Sequence, residues 1–178
     1  MTGRRAGVVV ALAGPVCSGK TTLASALSET LAAEVVSARS LVAQAAEQAG
    51  GEVTRESLQE IGRELERSTG GGWLADAAAA CRSGRVVIDS ARTPAQVRAV
   101  RDLPGSALVV YLTASLDERR KRFLQRSDPL DGGRRFEQVL AGELSDSIEE
   151  VASIADLVLD TDDLDRAAVH RIVRDAVG

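Results

Sequence analysis

The most constraining feature of this 178-residue chain is the stretch Gly14-Pro15-Val16-Cys17-Ser18-Gly19-Lys20-Thr21. It fits G-x-x-x-x-G-K-[ST]. Before it lies a continuous apolar run, Val8-Val9-Val10-Ala11-Leu12-Ala13; after it, Leu23, Ala26, Leu27, Thr30 and Leu31 recur at helical spacing. A strand before the glycines and a helix after them is the context in which this pattern binds phosphate. The glycines let backbone N–H groups turn inward, and the helix N-terminus adds its positive end. The residues expected to hold nucleotide phosphates are Gly14, Cys17, Ser18, Gly19, Lys20, Thr21 and Thr22. Lys20 reaches the outer phosphates as a point charge, and the Thr21 hydroxyl is placed to bind Mg²⁺. Cys17 is read as a passive small residue of the loop.

The rest of the chain alternates in period. Glu34–Ser37, Val86–Asp89, Ala107–Thr113 and Asp156–Asp160 read as further strands. Helices are expected over Lys20–Ala33, Ser40–Gly50, after Thr54 as an N-cap with Ser57 at the box position, over Trp73–Cys81, from Thr93-Pro94, over Leu116–Gln125, Phe136–Ala155 and Asp165–Val177. The N-terminal stretch, two Arg before a short apolar run, is read as a strand, not as a signal peptide. Strands alternating with helices, several of them apolar throughout, predict an α/β fold: a five-stranded parallel sheet in a three-layer α/β/α arrangement. In such sheets ligands bind beyond the carboxyl ends of the strands.

Composition narrows the partners. The chain is 44% hydrophobic but only 2% aromatic, so its core is built from Ala, Val, Leu and Ile. A net charge of −4 argues against a general nucleic-acid binder. No run approaches the ~18 apolar residues of a membrane span. Two distant cysteines and one histidine make no zinc set, which leaves a reduced, cytoplasmic protein as the expectation. Of 22 basic residues only Lys20 and Lys121 are lysine; Lys121 and His170 read as surface positions. With two lysines the chain has no guanine-reading N-K-x-D, and it is short for a motor ATPase. A small-molecule kinase remains. Asp89 and Arg92 follow the third strand, where the carboxylate suits Mg²⁺ through water and the guanidinium suits a phosphate. Arg122 and Arg126 lie one helical turn apart.

These segments resemble known enzymes. Asp89-Ser90-Ala91-Arg92 resembles the D-x-R segment of nucleotide kinases related to adenylate kinase, and Arg122-x-x-x-Arg126 resembles the R-x-x-x-R that leads into their lid. Thr54-Arg55, Leu58-Gln59, Gly62-Arg63 and Trp73 resemble the T-R-x-x-L-Q-x-x-G…R…W pattern of bacteriophage-type deoxynucleoside monophosphate kinases. The resemblance implies one domain over 1–178. It would have a core of 1–37, 84–125 and 137–178, an acceptor-binding helical segment over 38–83 and a short lid over 126–136. It implies acceptor contacts from Arg39, Arg55, Gln59, Arg63, Trp73, Asp89 and Arg92, with Gln59 reading a base edge and Trp73 either stacking on a base or packing in the core. Metal ligands would be Thr21 and Asp89; Lys20, Arg92, Arg122 and Arg126 would be catalytic, with Arg134 and Arg135 as further lid candidates.

One departure stands out. Relatives of adenylate kinase commonly carry S-x-x-D-x-x-R after the second strand; here Ser40 and Ala43 take the Asp and Arg positions, and Arg39 offers charge from beside them. A hydroxyl acceptor wants a carboxylate base and a phosphate acceptor does not, so the missing Asp favours a phosphate. The expected activity is ATP- and Mg²⁺-dependent phosphorylation of a nucleoside or deoxynucleoside monophosphate, without nucleic-acid or membrane partners. Two alternatives stay open: a kinase of a hydroxyl acceptor such as dephospho-coenzyme A, with Asp76 or Asp89 as base, and a nucleotide-binding regulator that transfers nothing. Base, sugar and oligomeric state (monomer or homodimer) are also open.

Overall fold

Five strands, β1 (Gly7–Ala13), β2 (Glu34–Ser37), β3 (Arg85–Asp89), β4 (Gly105–Thr113) and β5 (Leu157–Asp160), pair in parallel in the order β2-β3-β1-β4-β5. The computed structural model describes residues 7–50, 53–126, 128, 133–143 and 145–178. Residues 1–6 before the first strand, Gly51 of the expected helix stop, and residues 127 and 129–132 of the expected lid lie outside the described residues. The helices are α1 (Lys20–Leu31), α2 (Ala38–Gln48), α3 (Arg55–Thr69), α4 (Trp73–Ala80), α5 (Pro94–Arg101), α6 (Leu116–Gln125), α7 (Phe136–Ala141), α8 (Ser145–Ile154) and α9 (Arg166–Val177). The α/β fold with a five-stranded parallel sheet is the one expected.

The central strand shows why its sequence is apolar at every step. Val9, Ala11 and Ala13 face one layer, with Leu74, Ala75, Val97, Val100, Ile148 and Val151 from α4, α5 and α8. Val10 and Leu12 face the other, with Leu23 and Leu27 of α1 and Val169 and Val173 of α9. A strand covered on both faces has no polar side to write. Registry pairs Leu12 with Asp89 and Ala13 with Tyr111, so the loop leaving β1 sits between the end of β3 and the end of β4.

Local signals account for most helix ends. Ser37, Thr54, Thr93, Ser115 and Asp165 each accept a backbone N–H of the first turn they cap, and Thr54 and Ser57 complete a reciprocal box. Several boundaries shift by one or two residues, and two of the differences have a local cause. The second helix starts at Ala38 rather than Ser40, because Ser37 is its cap. The helix expected over Phe136–Ala155 is broken: α7 stops at Ala141, Gly142 caps it, and α8 begins at Ser145. A side chain at 142 would meet Gln59 Nε2 at 2.8 Å, so glycine there serves a tertiary approach as well as a stop. Helix α3 has no fully buried residue, although Leu58, Ile61 and Leu65 line one face of it. It lies at the periphery against α2. No helix among the described residues is long and apolar enough to cross a membrane.

Candidate active site

The phosphate loop is built as its glycines require. Gly14 has φ +132° and its missing Cβ would lie 2.1 Å from the Leu112 carbonyl, so no side chain fits. Gly19 has φ +101° and immediately precedes α1. Lys20 opens that helix and donates to the Pro15 carbonyl at 2.6 Å, with Ser18 Oγ at 3.4 Å. Ser18 is fully buried, whereas Thr21 and Thr22 are exposed in the first turn. Cys17 adopts φ +63° and is half-buried.

Charge concentrates on the β3 side of the loop. Burial pushes the Lys20 pKa down from 10.5 to about 8; Arg92 adds to the fall, while Asp89, Glu143 and Cys17 oppose it. The Arg92 guanidinium is itself pushed down by surrounding protein first, and then by Arg55 and Arg39, against Glu143 and Asp89. By accessible area Arg92 is an exposed residue, so this crowding is that of a concave wall open to solvent, not a sealed core. Arginine stays protonated regardless. The structure thus brings Lys20, Asp89, Arg55 and Arg39, all expected site residues, within electrostatic reach of Arg92.

The other expected residues are placed differently. Arg39 makes two bonds of 2.6 Å to Asp128, and Arg134 pairs with Glu56, so α2 and α3 are tied to described residues of the expected lid. Gln59 donates its amide to the Gly142 carbonyl at 3.1 Å. Arg63 is exposed on α3. Trp73 packs partly against the core and donates Nε1 to Glu66 at 3.1 Å. Arg126 lies over the Phe123 ring at 4.9 Å. Arg122, expected to grip phosphate, engages protein groups: Glu118 at 3.0 Å, Thr161 Oγ1 at 2.8 Å, the Thr161 carbonyl at 2.9 Å and the Cys17 carbonyl at 3.4 Å. It ties the phosphate loop to the end of β5. Beside that knot a cleft of about 400 Å³ is lined by Ser115, Asp117, Glu118, Lys121, Arg122, Thr161 and Asp162. It stands at the β4 and β5 ends, across the loop from Asp89 and Arg92.

Residues 10–141, more than half of the chain, match the family described as AAA domain. The chain belongs to that family. None of the curated proteins matches this AAA-domain chain. Solved structures match it over nearly their whole length. The shikimate kinase of Acinetobacter baumannii in complex with shikimate is 19% identical at TM-score 0.60, covering 97% of this chain and 92% of that one. A gluconokinase of Sinorhizobium meliloti is 20% identical at TM-score 0.58, covering 98% and 91%. The YorR protein of Bacillus subtilis in complex with phosphorylated GDP is 24% identical at TM-score 0.56, covering 96% and 95%. At these identities they show the fold: this AAA-domain chain has the fold of the P-loop kinases.

One pair at the site is absent from the sequence reading. Glu143 accepts the Val16 N–H and bonds Arg119 at 2.8 Å, while Arg119 Nε donates to the Val16 carbonyl at 2.8 Å. Their side chains are 11% and 8% exposed. This ion pair clamps one residue of the phosphate loop, Val16, through the peptide groups on both sides of it. The break at Gly142 is what turns Glu143 inward. The available signal was the glycine inside an otherwise helical pattern, which marks a helix end.

Proposed function

We propose that this chain transfers the terminal phosphoryl group of ATP to the phosphate of a nucleoside or deoxynucleoside monophosphate. The observation that carries this reading is the gathering of Arg39, Arg55 and Arg92 beside Lys20 and Asp89, at the β3 side of the phosphate loop. Like charges held together cost free energy, and a polyanion placed among them recovers it. The acceptor phosphate enters from that side, and the donor nucleoside takes the cleft at the β4 and β5 ends. The loop between them holds the donor phosphates. An oxygen of the acceptor attacks the γ-phosphorus in line, the bond to the β-bridging oxygen breaks, and ADP leaves. An anionic phosphate oxygen needs no base. Lys20 and Arg92 offset the charge on the moving group, and positioning supplies most of the catalysis.

Thr21 and Asp89 are hard oxygen donors at the ends of neighbouring elements, the chemistry Mg²⁺ takes alongside water and phosphate oxygens. When bound there, Mg²⁺ neutralises charge on the donor phosphates. Arg122 holds the loop in shape, and the segment 38–83 with the lid 126–136 closes over the acceptor. The pairs Arg39–Asp128 and Glu56–Arg134 support that arrangement; each joins a well exposed side chain to a more covered one.

A second reading has its own support. Neighbours named shikimate kinase and gluconokinase share the fold. In a kinase of that kind the same arginines would hold an acid group of the acceptor, and Asp89 would take the hydroxyl proton. A panel of ATP with nucleoside monophosphates, sugar acids, shikimate and dephospho-coenzyme A, scored by product mass, separates them. A diphosphate product supports the first reading. A product only from hydroxyl acceptors overturns it, and no product from any acceptor leaves the nucleotide-binding regulator.

A further inference from the structure

Glu66, in the last turn of α3, collects donors from two other elements. Its Oε2 accepts from Trp73 Nε1 at 3.1 Å and from Gln96 Nε2 at 2.7 Å, and its Oε1 accepts the Thr93 hydroxyl. Gln96 is 4% exposed, so its amide depends on protein partners. A carboxylate only accepts, which orients the Gln96 amide with Nε2 toward Glu66. Its Oε1 then meets the Arg92 N–H at 2.7 Å. Thr93 caps α5, accepting the Gln96 N–H at 3.2 Å while its own proton goes to Glu66. The backbone on both sides of the Arg92–Thr93 peptide therefore leans on one carboxylate of the acceptor helix.

We propose that Glu66 is a positioning residue for phosphoryl transfer: it sets the turn that carries Arg92 and locks it to α3 and to Trp73. The proposal rests on the phosphoryl-transfer reading, in which Arg92 meets the phosphate. It has a consequence for communication across the site. The acceptor helix and the Arg92 turn share an anchor, so they shift together when an acceptor binds. Trp73 is the only tryptophan in the chain and its indole N–H is bound to the same anchor, so its emission reports the state of the network.

The test compares Glu66→Gln with the double exchange Glu66→Gln/Gln96→Glu. The single change removes the charge and one of the two acceptor oxygens, so the new amide accepts from Trp73 and Gln96 or from Thr93 but not from all three, and the chain to Arg92 loses its charge-assisted anchor. In the exchange the new amide donates to the new carboxylate, which still accepts from Arg92. Glu66→Gln is expected to lower kcat about tenfold or more, since a misplacement of about 1 Å can cost 100-fold. It should leave the KM for ATP within about twofold, since the phosphate loop is untouched, and shift Trp73 emission. The exchange should return kcat to within about fivefold of the parent. Unchanged kcat in Glu66→Gln overturns the proposal. So does an exchange that restores the melting temperature but not kcat, the pattern of a merely structural role. If Glu66→Gln does not fold, Gln96→Met severs Glu66 from the Arg92 N–H alone and carries the same kinetic test. If the parent phosphorylates no acceptor, the transfer reading has failed separately, and binding of inorganic phosphate to the ADP-saturated protein, its phosphate loop already filled, decides when followed by Trp73 emission. About tenfold weaker binding in Glu66→Gln supports the positioning role, and equal binding overturns it.

Discussion

Two groups of arginines flank the phosphate loop, and they are held in opposite ways. On the α6 side, Arg119 is nearly buried against Glu143, and Arg122 spends its donors on Glu118, Thr161 and Cys17. On the β3 side, the exposed Arg92 guanidinium is pushed down first by surrounding protein and then by Arg55 and Arg39, against Glu143 and Asp89, while Arg39 is itself bonded to Asp128. The first group is balanced by the protein's own acceptors, so its charge shapes the loop. The second gathers guanidinium groups around Arg92 beside Lys20, offset in part by Asp89, Glu143 and Asp128. The residue type is the same; what differs is which charges the fold supplies nearby.

The sharpest way to break this comparison is to delete one arginine from each group. Arg92→Ala should cut phosphoryl transfer by at least about a thousandfold, the scale of a lost transition-state arginine. Its melting temperature should stay level or rise, because a repelling charge has gone. Near-normal turnover in purified Arg92→Ala would remove Arg92 from the site.

Arg119→Ala should do the reverse. It strands the buried Glu143 carboxylate, a loss on the order of 3–5 kcal/mol, visible as a lower denaturation midpoint. Replacing the pair together, as Arg119→Met/Glu143→Leu, should recover much of that stability, because desolvation offsets most of what a buried pair contributes. If Arg119→Ala melts like the parent, the clamp on Val16 carries no load.

The smallest effect sharpens the comparison through pH. In the empty protein Lys20 sits near 8, lowered by burial and by Arg92. Its folded value lies below the unfolded one, so the unfolded chain binds more protons between about 8 and 10.5, and stability gains from Lys20 as pH rises through that window. Donor phosphate favours the charged amine and raises its pKa. Binding at pH 9 should therefore take up part of a proton, read by calorimetry in buffers of different ionisation heat. Lys20→Met should abolish the uptake. Identical heats in all buffers would mean that Lys20 does not sense the donor.

Much of this was legible from residues alone. The loop, the strands and most helix caps are local, because each depends on side chains within a few positions of the backbone they satisfy. The position of Asp89 and Arg92 at the end of the third strand was legible as well, because it follows from where the apolar run stops. The unbroken helix expected over Phe136–Ala155 shows the limit. Gly142 was visible, yet what it serves is the close approach of Gln59, 83 residues away in sequence.

The sequence by itself determined the sheet, the phosphate loop and the list of arginines. Only the tertiary structure decided which protein groups each arginine meets. Glu143 and Glu66 became partners of Arg119 and of the Arg92 turn through contacts 24 and 30 residues apart. No periodicity encodes such contacts. Electrostatic energy depends on distance in space, and folding sets that distance with little regard to separation along the chain.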